Sequence, residues 1–275
     1  MLLKTTLIPI FLGVGIVTAS VVLTPSLADD LLLSTKPVTT WVVSVGGMTT
    51  FSPDYTGSRL FSPGFMPSIS WRKSDEAASF SAPDDGLDLT VVDTPQFKTG
   101  ATFGFDRGRY RTGNARLAGL NDVQWTVNSG VFFEYWPINN RFRTRMEVMH
   151  GFRRTDGFVV NFSADWVEKY GQFTLSGGPR LSVADHKEME SRFGVTAPEA
   201  AVSNFSVYNA SAGVKSTGVG LAQSYNITPS WTGTLYQHYD RLVGTASDSP
   251  IVTNGGSRNQ FTLGAGLTYS FNLGW

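Results

Sequence analysis

The chain has no cysteine, little charge and, after its first two dozen residues, no long apolar run. Missing thiols exclude disulfide frameworks, thiolate metal sites, cysteine nucleophiles and a lipid-modified N-terminal cysteine. Charged residues make up 16%, where a soluble domain usually carries about a quarter. Basic and acidic side chains number 22 each, so nothing attracts nucleic acid, and there is no basic tail or acidic run. No H-E-x-x-H pair, nucleotide-binding glycine pattern or EF-hand loop occurs, which leaves no cofactor or metal to assign. Beyond residue 28 no apolar stretch reaches the roughly 18 residues of a spanning helix. A mature chain that enters a membrane must therefore do so as a closed sheet, because lipid offers no partner to unpaired backbone groups.

The N-terminus has a defined layout. Residues 1–28 hold one charged side chain, Lys4, then an apolar stretch from Leu7 to Leu23, then Ser26-Leu27-Ala28 before Asp29-Asp30. That is the order of a secretory signal peptide, with an uncleaved anchor as the other reading of so long a run. The expected organisation is a signal peptide at 1–28, a periplasmic segment at 29–39 and a β-barrel at 40–275.

Alternation fills the body. Phe261, Leu263, Ala265, Leu267, Tyr269 and Phe271 are apolar or aromatic, and the residues between them are small or polar. In a strand these two sets face opposite ways. The pattern recurs from Phe97 to Asp106, from Gln124 to Tyr135, from Arg141 to Val148, from Phe158 to Trp166 and from Gln172 to Val183. Aromatic residues, among them Trp41, Trp71, Trp125, Tyr135, Trp136, Trp166, Trp231 and Tyr269, gather near strand ends, as interface girdles do.

Twelve strands are expected, near 40–50, 64–73, 77–82, 86–93, 97–107, 122–136, 141–152, 157–168, 171–184, 211–227, 230–242 and 258–271. Links after the even strands are short, and those after strands 1, 5, 9 and 11 are long. Only the links after strands 3 and 7 depart from this. Such segregation suits an all-β, up-and-down outer-membrane barrel with short periplasmic turns and long outer loops. A soluble sandwich has no reason for it.

The polar face carries charge at mid-strand. Arg141, Arg143 and Arg145 form a ladder, with Glu134, Glu147 and Asp165 as facing acids; Lys98, Arg180 and Asp240 complete the expected lumen-lining set. Two readings stay open. The charges pair and plug the lumen, or they line a narrow pore that prefers anions. Twelve strands lie between filled and channel-forming sizes. No catalytic residue is assigned. A hydrolase would need His238 and Asp240, which share a face with Tyr236, together with a nucleophile in reach. Pro83-Asp84-Asp85-Gly86 reads as a turn. The long loops either bind a partner or simply cover the mouth.

Several stretches carry a family resemblance: Pro53-Asp54-Tyr55-Thr56-Gly57-Ser58, Gly177-Gly178-Pro179-Arg180, and Ser191-Arg192-Phe193-Gly194-Val195-Thr196 with Pro198-Glu199-Ala200. Tyr239-Asp240-Arg241-Leu242-Val243-Gly244, Asp248-Ser249-Pro250-Ile251-Val252 and Gly256-Ser257-Arg258-Asn259-Gln260 follow. Together they resemble the MipA/OmpV family of MltA-interacting outer-membrane proteins over most of the mature chain, most densely at 191–271. The resemblance implies a non-enzymatic outer-membrane barrel that scaffolds murein machinery, linking a lytic transglycosylase to a penicillin-binding synthase. The chain end resembles the barrel-assembly signal of outer-membrane proteins. Gly266, Tyr269 and Phe271 give its spacing, with Trp275 as an alternative terminal aromatic. The expected partners are thus outer-membrane lipid, the barrel-assembly machinery and, through the resemblance, the two murein enzymes.

Overall fold

The computed structural model describes residues 40–153 and 156–274. The signal peptide, the 29–39 segment and Trp275 lie outside them. Eleven strands form one antiparallel sheet that curls into a nearly closed barrel. They are β1 (Trp41–Pro53), β2 (Phe61–Lys73), β3 (Leu87–Asp93), β4 (Phe97–Asp106), β5 (Thr126–Ile138), β6 (Phe142–Gly151), β7 (Phe158–Tyr170), β8 (Phe173–Ala184), β9 (Gly213–Asn226), β10 (Trp231–Leu242) and β11 (Asn259–Leu273). Short helices α1 (His186–Phe193) and α2 (Ala197–Val202) follow β8. Helices α3 (Gly244–Asp248) and α4 (Pro250–Thr253) follow β10. Among the described residues no helix is long and apolar enough to cross a membrane.

The wall runs β2-β1-β11-β10 and onward to β4-β3. Trp41 sits opposite Leu273, so the first and last strands close on each other. At one end the links are three residues or so: 94–96, 139–141, 171–172 and 227–230. At the other lie the long connections 107–125, 185–212 and 243–258, with shorter ones at 54–60 and 152–157. Loop length therefore sorts by end of the barrel.

One expected strand is not there. Residues 77–82 form no strand, and β2 and β3 are the two edges of the sheet. An even number of antiparallel steps separates these edges, so they run the same way. Segment 74–86 joins the end of β2 to the start of β3 and runs opposite to both. It thus has the direction of a twelfth wall strand, yet it folds inward. Phe80 meets Trp136 edge-on at 6.1 Å, and Ala82 is buried. The sequence of β2 supplies the reason. Pro63 and Pro67 bring no N–H, and strands tolerate proline where the N–H would face away from the neighbour. Both have the same parity and lie in register with Phe51 and Gly47 of β1. The free edge of β2 therefore lacks two of the donors that a twelfth strand would need. At the loop end Arg107 spans the seam, donating from Nη2 to Ser52 Oγ at 2.6 Å and from Nη1 to Pro63 O at 3.1 Å.

The outer face is apolar. Val45, Ile69, Leu89, Val131, Phe133, Phe162, Leu221, Leu235, Leu263 and Leu267 are all exposed on it. Aromatic residues ring both ends: Trp41, Trp71, Tyr135, Trp166, Tyr170, Trp231 and Tyr269 at the turns, and Phe51, Phe105, Trp125, Phe158 and Phe261 at the loops. Apart from the β2–β3 seam the sheet pairs its backbone internally, and this exterior matches hydrocarbon flanked by two interfaces. Trp136, expected in the girdle, is instead buried inside. It shares the parity of Glu134, and its Nε1 donates to Glu134 Oε1 at 2.7 Å.

Candidate functional site: the filled interior and the loop cap

Side chains from five strands and from segment 74–86 converge inside the wall. Arg143 is at the centre, fully buried. Its guanidinium donates from Nη1 to Asp85 Oδ2 at 2.6 Å and to Glu134 Oε2 at 3.2 Å, and from Nη2 to Asp165 Oδ2 at 2.6 Å. Arg145 donates from Nη2 to Glu147 Oε1 at 2.7 Å and to Asp88 Oδ1 at 2.8 Å. Arg180 donates from Nε to Asp84 Oδ2 at 2.6 Å and lies 2.8 Å from Asp165. The rings of Phe80 and Phe132 lie under the Arg143 and Arg145 guanidinium groups at 4.8 and 4.3 Å. A guanidinium satisfies several planar acceptors at once, so three arginines can hold acids from β3, β5, β6, β7 and the inserted segment together.

The charge balance is acidic. Asp84, Asp85, Asp88, Glu134, Glu147 and Asp165 face Arg143, Arg145 and Arg180, and Asp240 faces His238. A cavity of about 150 Å³ is bounded by Asp84, Glu147, Arg180, Ser216, His238 and Asp240. His238 Nδ1 is 2.6 Å from the Tyr236 hydroxyl, and Nε2 is 3.3 Å from Asp240 Oδ2. Asp84 Oδ2 lies 3.7 Å from Nδ1, so a carboxylate stands near each ring nitrogen. Among the described residues neither nitrogen is bonded to a serine hydroxyl.

The expected charged residues do not all meet. Glu134, Arg143, Arg145, Glu147, Asp165 and Arg180 form the network, and Asp240 joins it through His238. Lys98 stands at its edge by the seam, bonded to Ser79 Oγ at 2.7 Å and Asp93 at 3.0 Å. Arg141 is separate. It belongs to the 139–141 hairpin link, is exposed, and pairs with Glu168 at 3.3 Å. Asp84, Asp85 and Asp88 were not in the expected set, because Pro83 to Gly86 reads as a surface turn. Two adjacent acids beside a strand slot that prolines leave unpaired are the signal that could have found them. Gly266, Tyr269 and Phe271 lie on β11, where Tyr269 packs against Trp231 at 4.9 Å.

The long loops interlock over the opposite end. Ala184, Met189, Phe193, Ala210, Leu242, Ala246 and Val252 form one buried cluster. Tyr55, Leu117, Leu120, Val195, Phe205 and Ile251 form a second. Polar bonds join the loops pairwise: Arg109 Nη1 to Arg192 O at 2.7 Å, Ser249 Oγ to Phe193 O at 2.6 Å, and Gly57 N to Gln260 Oε1 at 2.9 Å. Nearly all the stretches that carried the family resemblance are in this cap. Glu199 ties two of the loops, accepting from Asn121 N and from Thr196 N, each at 2.8 Å. Burial opposes its charge, but these bonds and the Thr196 hydroxyl hold the carboxyl below its ordinary 4.5. A depressed carboxyl stabilises the fold above the unfolded value, and this is lost as pH falls through the folded value. Acidification below 4.5 should therefore loosen the cap, and Glu199→Gln should flatten that dependence. Pepsin nicking of 185–212 against pH measures it.

No curated protein matches the chain. Among solved structures it is similar to the NanC porin, at 11% identity over 83% of this chain and 98% of that one, with a TM-score of 0.40. An outer-membrane channel from Pseudomonas putida F1 gives 12%, 86%, 96% and 0.37. The N-terminal β-barrel domain of Pseudomonas aeruginosa OprF gives 10%, 64%, 98% and 0.27. The model of one family, described as MltA-interacting protein MipA, matches residues 45–271, and the chain belongs to that family.

Proposed function

We propose that this chain is a non-enzymatic outer-membrane barrel that serves as a scaffold for murein machinery and does not conduct in its resting form. The observation that carries the closed reading is the interior, where Arg143 and Arg145 are neutralised by acids from facing strands and from the chain's own segment 74–86. A pore needs a wet, weakly binding path. Here the widest charged side chains are spent on one another, and the loops cover the far end. The apolar exterior, its aromatic rings and the sorting of loops by length support the outer membrane, with short turns toward the periplasm.

The family's description, MltA-interacting protein, supports a lytic transglycosylase as the partner. Turns of two to four residues offer a soluble enzyme little surface. Docking therefore falls to the turn-end rim and to residues 29–39. Purified chain in detergent, titrated with purified transglycosylase, should bind it, and removing residues 29–39 should weaken binding. No binding to either form would sink the scaffold reading.

A pore is the second reading. The inner faces of β1, β9 and β11 carry Ser44, Gly46, Ser224, Thr268 and Ser270, small and only partly buried. Because acids outnumber arginines inside, such a path would favour cations over the anions suggested by the ladder alone.

A further inference from the structure

Segment 74–86 is held unlike any wall strand. Its backbone bonds lie at its base or within its own turn: Ser74 N to Thr40 O, Glu76 N to Lys73 O and Asp85 N to Ala82 O. No ladder fixes it. What holds it inside is side chains: Asp84 on Arg180, Asp85 on Arg143, Ser79 on Lys98, and Gly86 N on Glu147. Phe80 is its one large apolar residue, and residues 74–79 are exposed. An element fastened by ion pairs over so little apolar area opens more readily than its surroundings.

The wall keeps a place for it. β2 and β3 run the same way, so one antiparallel strand is missing between them. Among the described residues nothing pairs with the outer edge of β3. Segment 75–82 has the required direction and a length close to that of β3. The turn that would join the two as a hairpin, Ala82 to Asp85, is already formed. The proline-bearing edge of β2 would not pair fully with such a strand, so neither position dominates by backbone bonding alone.

We infer that segment 75–82 is a displaceable twelfth strand. Latched inside by Asp84 and Asp85 it closes the lumen; moved into the β2–β3 slot it opens a path for small cations. The cation preference follows from what stays behind. Asp88, Glu134, Glu147 and Asp165 remain against Arg143, Arg145 and Arg180, with Asp240 beside His238. This conditional conduction rests on the closed-barrel reading. A parent chain that is already open would sink that reading, whereas a broken latch that stays shut sinks only this one.

The chain has no cysteine, so Ala82→Cys, at a site 5% exposed, is a clean reporter. Full chain carrying it is folded into bilayers and treated with a water-soluble maleimide, alone and with Asp85→Asn. Removing one partner of a buried pair is strongly destabilising, so labelling should speed at least about tenfold. In planar bilayers under a KCl gradient, Asp85→Asn should give open steps whose reversal potential marks potassium as the favoured ion. Should Asp85→Asn fail to give a folded, heat-modifiable barrel, Asp84→Asn, which frees only the Arg180 side, carries the same test. Unchanged labelling and no added steps in a folded variant would overturn the inference, as would open steps that favour chloride.

Discussion

Arg143→Ala should cost the barrel about 3–5 kcal/mol, the usual result of stripping one partner from a buried ionic cluster. The reason is what remains: Asp85, Glu134 and Asp165 would be left facing one another without their shared cation. Arg141→Ala, two residues away on the same parity, should cost no more than about 1 kcal/mol, because its pair with Glu168 is exposed to water. Urea unfolding in detergent, read from the loss of the fast-running unboiled band, separates the two. Equal losses would mean that the ladder acts as a row of equivalent surface charges.

Phe193→Ala should open the cap and spare the wall. Phe193 is fully buried among Met189, Ala210, Leu242 and Val252, and truncating such a ring costs about 3–5 kcal/mol. That cluster meets the wall only at the loop-end strand residues Ala184, Leu242 and Val159, so the loss should stay at that end. Protease should cut within 185–212 in the variant and not in the parent, while both keep their heat-modifiable band. Loss of the band would show instead that cap and wall unfold as one unit.

The wall was legible because its signal is local. Strict alternation marks each strand, and a loop at one end is long wherever the chain must cross the mouth. Residues 77–82 misled because strand pattern says what a segment can do and not which neighbour will accept it. The decision lay in Pro63 and Pro67, a dozen residues upstream, and in arginines on β6 and β8. Trp136 misled for a similar reason. Its place near a strand end fits a girdle, but its parity with Glu134 turns it inward. The acids that complete the network, Asp84 and Asp85, sit in a turn motif identical to that of a surface turn, and only the tertiary path of the segment brings them to Arg143 and Arg180. Loops covering the mouth were one of the two readings of their length, but the two apolar clusters that lock them together were not visible, since they draw single residues from stretches far apart in the chain.

A membrane barrel filled by its own chain should not conduct. Planar-bilayer conductance of the unmodified mature protein tests it most directly. Insertion of folded, heat-modifiable protein with only background current is the expected result. Stable open steps that scale with salt would contradict it, and would make the interior a working channel.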